Sequence, residues 1–78
     1  MPFTIGRAGN TLDLAYNGVS RSHAALTYRG GQFFLRDVGS TNGTLINGET
    51  IVGRGEVPVP GGAEVSVGLG VVLRFVVD

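Results

Sequence analysis

The chain of 78 residues has no cysteine, so no disulfide can staple its core and no oxidising compartment is needed. An intracellular, cytoplasmic setting is the default that follows. It also lacks net charge: six Asp and Glu balance six positive residues, all of them arginine, at positions 7, 21, 29, 36, 54 and 74. That balance argues against broad attraction to nucleic acid or to a membrane surface. No run approaches the roughly 18 apolar residues of a membrane span, and no charged segment followed by an apolar one opens the chain. With a single histidine and no cysteine, no cluster of metal ligands can be read, and neither a metal nor another cofactor is expected. No apolar pattern of ordinary helix length occurs either.

What is abundant is glycine, 14 residues, well above the average usage of about 7%, and it falls between short apolar stretches instead of within one tract. Residues 3–5, 11–14, 24–29, 32–37, 44–46, 49–52, 63–67 and 71–77 read as strands. The pairs Asn17-Gly18, Gly30-Gly31 and Asn47-Gly48, with the glycines near residues 61 and 69, supply the turns. Asn47-Gly48, between TLI and ETIV, is the clearest hairpin. Many short strands at this spacing predict an antiparallel sandwich or barrel forming one domain, with no linker. Such a small domain buries only about 60 to 65% of its unfolded surface, so modest stability is expected.

Three short motifs carry the functional signal: IGR at residues 5–7, VSRSHA at 19–24 and DVGSTNGTLING at 37–48. Arg7 follows Gly6 at the end of the first strand, where a guanidinium can present a planar fork of donors to an anion. Ser20 supplies a short hydroxyl and Arg21 a second cation on the loop leading into residues 24–29. Thr41 and Asn42 lie between Gly39 and Gly43, in a loop whose amides and side chains are available to an extended peptide.

In that order the motifs resemble the forkhead-associated (FHA) domain, over residues 5 to about 77. The resemblance implies an all-β fold, a small antiparallel β-sandwich of FHA type, here a single domain over residues 1–78 without the first two strands of the full domain. It implies a non-enzymatic module that binds phosphothreonine-containing peptides or proteins through Arg7, Ser20, Arg21, Thr41 and Asn42. Gly6, His23, Gly43 and Asn47 are implied as supporting residues, with the His23 ring buried and bracing the binding loops. Without the two leading strands, residues 71–77 (VVLRFVV) would form an apolar edge open to a second copy or another segment, as a homodimer or by strand exchange. The resemblance also implies threonine over serine in the partner, and the uncharged Asn17 and Gly18 predict no strong acidic preference beside it.

Each residue has a plainer reading. Arg7 and Arg21 alone would be surface arginines, Ser20 and Thr41 turn formers, and Asn42 and Asn47 positive-φ turn residues, with Asn47 hairpin chemistry first. His23 with Ser20 or Ser22 and Asp37 could suggest a hydrolase, but no G-x-S-x-G elbow is present. The segment GSTNGT lacks the Gly-Lys-Ser/Thr ending of a nucleotide loop. The rival that remains is a module of the same fold that recognises an unphosphorylated surface, as a scaffold or oligomerisation domain.

Overall fold

A computed structural model describes residues 3–76 and contains nine strands, with no helix among them. They are β1 (Phe3–Gly6), β2 (Leu12–Asp13), β3 (Ala24–Arg29), β4 (Gln32–Asp37), β5 (Thr44–Ile46), β6 (Glu49–Thr50), β7 (Val57–Pro58), β8 (Glu64–Val67) and β9 (Val71–Arg74). One sheet runs β2-β1-β3-β4-β7 and the other β6-β5-β8-β9. All neighbours are antiparallel except β1 and β2, which pair in parallel through Ile5–Leu12 and Gly6–Asp13.

The alternation of side chains decides which face each strand buries. Along β3 and β4, Leu26 lies opposite Leu35 and Tyr28 opposite Phe33, while Ala25 faces Arg36 and Thr27 faces Phe34 on the other side. Leu35 is 1% exposed, which fixes the first set as the inner face. In the second sheet Thr44, Ile46, Val65 and Val67 are buried. The two inner faces share one core of Ile5, Leu14, Val19, Ala24, Leu35, Ile46, Ile51, Val59, Ala63, Val65 and Val67. The resulting architecture is the FHA-type β-sandwich that the motifs predict.

Two hairpins depend on left-handed backbone. Gly30 and Gly31 have φ of 60° and 81°, and Asn47 and Gly48 have 49° and 83°, the two successive positive values that the twist of paired strands demands of a two-residue turn. Asn47 is the single non-glycine residue with positive φ among those described.

Several boundaries differ from the sequence reading. The second strand shrinks to Leu12–Asp13 and the sixth to Glu49–Thr50, because Ile51 turns inward and is 1% exposed. β7 was not anticipated. It pairs Val57 with Leu35 and Pro58 with Phe34 at the sheet's edge, where proline's missing donor costs nothing. The last strand ends at Arg74, and Val77 lies outside the described residues. β9 pairs with β8 and with no other strand among the described residues, so its outer edge is open. Beside it, Phe3, Leu26, Leu73 and Phe75 line an apolar cavity of about 390 Å³ between the sheets.

Candidate functional site

The loops at one end of the sandwich bring Arg7, Ser20, Arg21, Thr41 and Asn42 around one open pocket of about 310 Å³, with Gly18 and Val19 completing its wall. Arg7 leaves the end of β1, and its backbone N–H donates to Ser20 O at 2.9 Å, which ties the first strand to the loop before β3. Gly6 makes this approach possible. A Cβ on Gly6 would lie 2.1 Å from Arg21 O, so the close packing admits no side chain. Asn10, which sequence reasoning missed, caps the same carbonyl: its Nδ2 donates to Arg21 O at 2.6 Å and to Ala8 O at 2.8 Å.

Ser20 and Thr41 are joined across the pocket. The Thr41 N–H donates to Ser20 Oγ at 2.9 Å, using the oxygen as an acceptor and leaving its O–H free to donate outward. Asn42 Nδ2 donates to Gly18 O at 2.9 Å, which leaves its second N–H and its carbonyl available. Arg7 and Arg21 are exposed, and neither takes part in an ion pair among the described residues. The pocket therefore holds two cations and a set of uncommitted neutral donors, the combination that suits a tetrahedral dianion.

His23 sits beneath these loops at 0% exposure. Its Nδ1 accepts from the Ser20 N–H at 3.0 Å, so the proton resides on Nε2, which donates to Gly43 O at 2.8 Å. One ring thus fastens the Ser20 loop to the Thr41–Gly43 loop. Both nitrogens are committed to backbone, and Asp37 is engaged elsewhere.

That engagement is the largest feature of the site the sequence reading did not assign. Asp37 Oδ1 accepts from the amides of Gly39 and Ser40 at 2.9 and 3.0 Å, and Oδ2 accepts from the hydroxyls of Ser40 and Thr44 at 2.5 and 2.7 Å. Ser40 Oγ then accepts the Gly43 N–H at 2.9 Å. Partial burial pushes the carboxyl pKa up, but the bonds from the Ser40 and Thr44 hydroxyls and the Ser40 and Gly39 amides outweigh it and hold the value at about 2. The loop bearing Thr41 and Asn42 is folded around an ionised carboxylate. An Asp followed at two and three residues by Gly and Ser is an Asx-turn pattern, the signal that could have exposed this role.

Gly43, with φ of 91°, turns the chain into β5 and receives the His23 bond. Asn47 stands apart from the pocket: its Oδ1 accepts from the Glu64 N–H at 2.9 Å and its own N–H donates to Glu64 O at 2.8 Å, bracing the β5–β6 hairpin against β8. Among the described residues no group of three or more His, Asp and Glu is placed to hold a metal, and no helix is long and apolar enough to cross a membrane.

A two-sheet sandwich whose loops gather arginines, a serine and an Asn-bearing turn defines a class of loop-reading binding modules. The FHA domain family model matches residues 3–68, and the chain belongs to that family. It is 40% identical over 68 residues to the FHA domain-containing protein FhaB of Mycolicibacterium smegmatis, and 38% to FhaB of Mycobacterium tuberculosis. Each match covers 86% of this chain and 43% of the relative, so the chain spans less than half the length of these curated relatives. Among solved structures it resembles Mycobacterium tuberculosis EmbR in complex with a low-affinity phosphopeptide, with a TM-score of 0.88 at 27% identity over 99% of this chain and 20% of that one. It also resembles the N-terminal FHA domain of S. cerevisiae Rad53p in complex with a phosphothreonine peptide, with a TM-score of 0.81 at 28% identity over 100% of this chain and 69% of that one.

Proposed function

We propose that this chain is a phosphothreonine-dependent peptide-binding module for signalling or assembly. The observation that carries the reading is the gathering of Arg7, Ser20, Arg21, Thr41 and Asn42 on one open pocket, in a family whose solved members include complexes with phosphopeptides. A phosphate monoester carries about −1.5 to −2 charge at neutral pH, which two arginines neutralise. The Arg7 guanidinium takes two phosphate oxygens, the free O–H of Ser20 donates to the third, and Arg21 adds charge at the rim. The free N–H and carbonyl of Asn42, beside Thr41, hold the main chain of an extended peptide. His23, Gly6 and Gly43 keep the two loops at the spacing this requires, while Asn47 braces the β5–β6 hairpin against β8, away from the pocket. The partner is a phosphothreonine-containing protein, with no part for nucleic acid or a membrane. The place of action is intracellular and cytoplasmic.

The second reading, a scaffold or oligomerisation domain that binds without phosphate, has one observation in its favour. β9 has no strand on its outer side among the described residues and carries exposed Val72, and exposed Val76 just after it lines the 390 Å³ apolar cavity, a surface suited to strand pairing with a second copy. Fluorescence anisotropy with a phosphothreonine peptide library and its unphosphorylated and phosphoserine counterparts separates the two. Micromolar binding confined to phosphothreonine and lost in Arg7→Ala supports the first. Equal binding of unphosphorylated peptides, or an Arg7→Ala variant that binds as well as the parent, refutes it.

A further inference from the structure

Three Asn-Gly steps occur in the chain, at 17–18, 42–43 and 47–48. Asparagine is chemically labile in such a step, because glycine has no side chain to shield its nitrogen from the neighbouring side-chain amide. The fold restrains two of the three. Asn42 Nδ2 is bonded to Gly18 O at 2.9 Å and the Gly43 N–H to Ser40 Oγ at 2.9 Å, so both groups that would have to react are held. Asn47 Oδ1 accepts from the Glu64 N–H at 2.9 Å and its own N–H donates to Glu64 O at 2.8 Å, which fixes its side-chain carbonyl against β8.

Asn17 is restrained by none of this. It is exposed, and neither its side chain nor its backbone makes a hydrogen bond among the described residues. Residues 16–19 form a turn closed by the Val19 N–H donating to Tyr16 O at 3.2 Å, and Gly18 has a φ of 91°, the type II arrangement. The peptide between Asn17 and Gly18 gives neither its carbonyl nor its N–H to another backbone group among the described residues. It can therefore rotate while the closing bond stays made, as in the exchange of a type II turn for a type I turn. That rotation brings the Gly18 nitrogen towards the Asn17 side chain.

We propose that Asn17 is a site of spontaneous deamidation that weakens the adjoining anion pocket as the protein ages. The Gly18 nitrogen gives its proton to water and attacks Asn17 Cγ; an N–Cγ bond forms, the Cγ–Nδ2 bond breaks, and the amide leaves as ammonia. Water then opens the five-membered imide at either carbonyl. Opening at Cγ yields aspartate, and opening at the main-chain carbon yields isoaspartate, whose backbone runs through Cγ and is one carbon longer. The net change is one water taken up and one ammonia lost, with no electron transferred.

The position of the turn gives this reaction a consequence. Gly18 lines the anion pocket, and its carbonyl accepts the Asn42 side chain. A carboxylate at position 17 stands one residue from that wall and repels a dianion in the pocket. In isoaspartate the lengthened backbone also displaces Gly18, which packs so closely on the β8–β9 turn that a Cβ there would lie 2.9 Å from Leu69. The loss of affinity rests on the phosphothreonine reading; the modification itself does not.

The test ages the folded chain in warm, mildly alkaline buffer beside a urea-unfolded sample, with peptide mapping by mass spectrometry, enzymatic methyl labelling of isoaspartate, and anisotropy of a phosphothreonine peptide on fresh and aged protein. In the folded chain, position 17 converts at least about tenfold faster than positions 42 and 47, whereas unfolding brings the three rates together. Asn17→Gln, which cannot close the five-membered ring, removes the early isoaspartate signal and binds as the fresh parent does. The aged parent and Asn17→Asp bind the peptide at least about fivefold more weakly. Earlier conversion at position 42 or 47, or no conversion at 17 while the unfolded sample reacts, overturns the site. Conversion at 17 with affinity unchanged overturns the weakening of the pocket alone. Fresh protein that binds without dependence on phosphate overturns the phosphothreonine reading and the affinity loss with it, while the mass map still decides the site.

Discussion

Replacing Asp37 with asparagine probes the loop that presents Thr41 and Asn42, and its consequence can be worked from the hydrogen bonds. The carboxylate pKa of about 2 stands about two units below its ordinary value of 3.8. At about 1.4 kcal/mol per unit, that difference sets a ceiling near 2.5 kcal/mol, and water's access to the half-buried group screens it to about 1 kcal/mol. In Asp37→Asn, an amide N–H₂ replaces Oδ2 and meets the hydroxyls of Ser40 and Thr44, both of which now donate there. Thr44 is 0% exposed, so a hydroxyl left without an acceptor adds about 1 kcal/mol or more. The expected loss is about 2 kcal/mol at pH 7, or about 10 °C in Tm for a domain this small. Urea unfolding followed by far-UV circular dichroism measures it. Folding lowers this pKa, so the carboxylate's contribution is fully present above the unfolded value near 4 and is lost as the pH falls towards 2. The gap between parent and variant must therefore narrow over that interval, by up to the roughly 1 kcal/mol that depends on ionisation. A gap below about 0.5 kcal/mol at pH 7, or one equally large at pH 7 and pH 2.5, would refute the reasoning.

Arg7→Ala should weaken a phosphothreonine peptide at least about thirtyfold in an anisotropy titration, and Arg7→Lys should recover only part of it because a point charge cannot replace the bidentate fork. Peptide affinity should drop several-fold between pH 7.5 and pH 5.5 as the phosphate loses its second charge near pH 6, and should drop with added salt; calorimetry showing neither would count against the arginine pocket. Gly6→Ala drives a Cβ against Arg21 O, so a loss of about 2 kcal/mol or more in urea unfolding is expected, together with weakened peptide binding. Leu35→Ala, at a site 1% exposed, should cost about 2 to 5 kcal/mol, close to the whole stability of a domain of this size, and a chain still folded above 50 °C would contradict that core.

Much of this molecule was legible in its residues. The glycine pairs at 30–31 and 47–48 demand left-handed turns, and the apolar alternation of residues 24–29 and 32–37 admits one register between them. Both are local constraints, so sequence alone expresses them. β7 was not legible because Val57-Pro58 is too short and too proline-bound to announce a strand, and forms one only because β4 offers an open edge. The end of β6 at Thr50 was likewise set from outside, by Ile51 turning into a core that draws on both sheets.

For the candidate site the division runs along the same line. The types of the candidate residues and their order along the chain are read from the motifs themselves, since arginine forks, short hydroxyls and glycine-freed backbone are the groups that suit a phosphate. Tertiary structure decided that Arg7, Ser20 and Asn42, separated by 13 and 22 residues, face one pocket. It also decided that His23 holds two loops together through backbone alone and that Asp37 anchors a turn. Each of these depends on long-range pairing of strands, and contacts made across such distances exist only once the two sheets have closed on a common core.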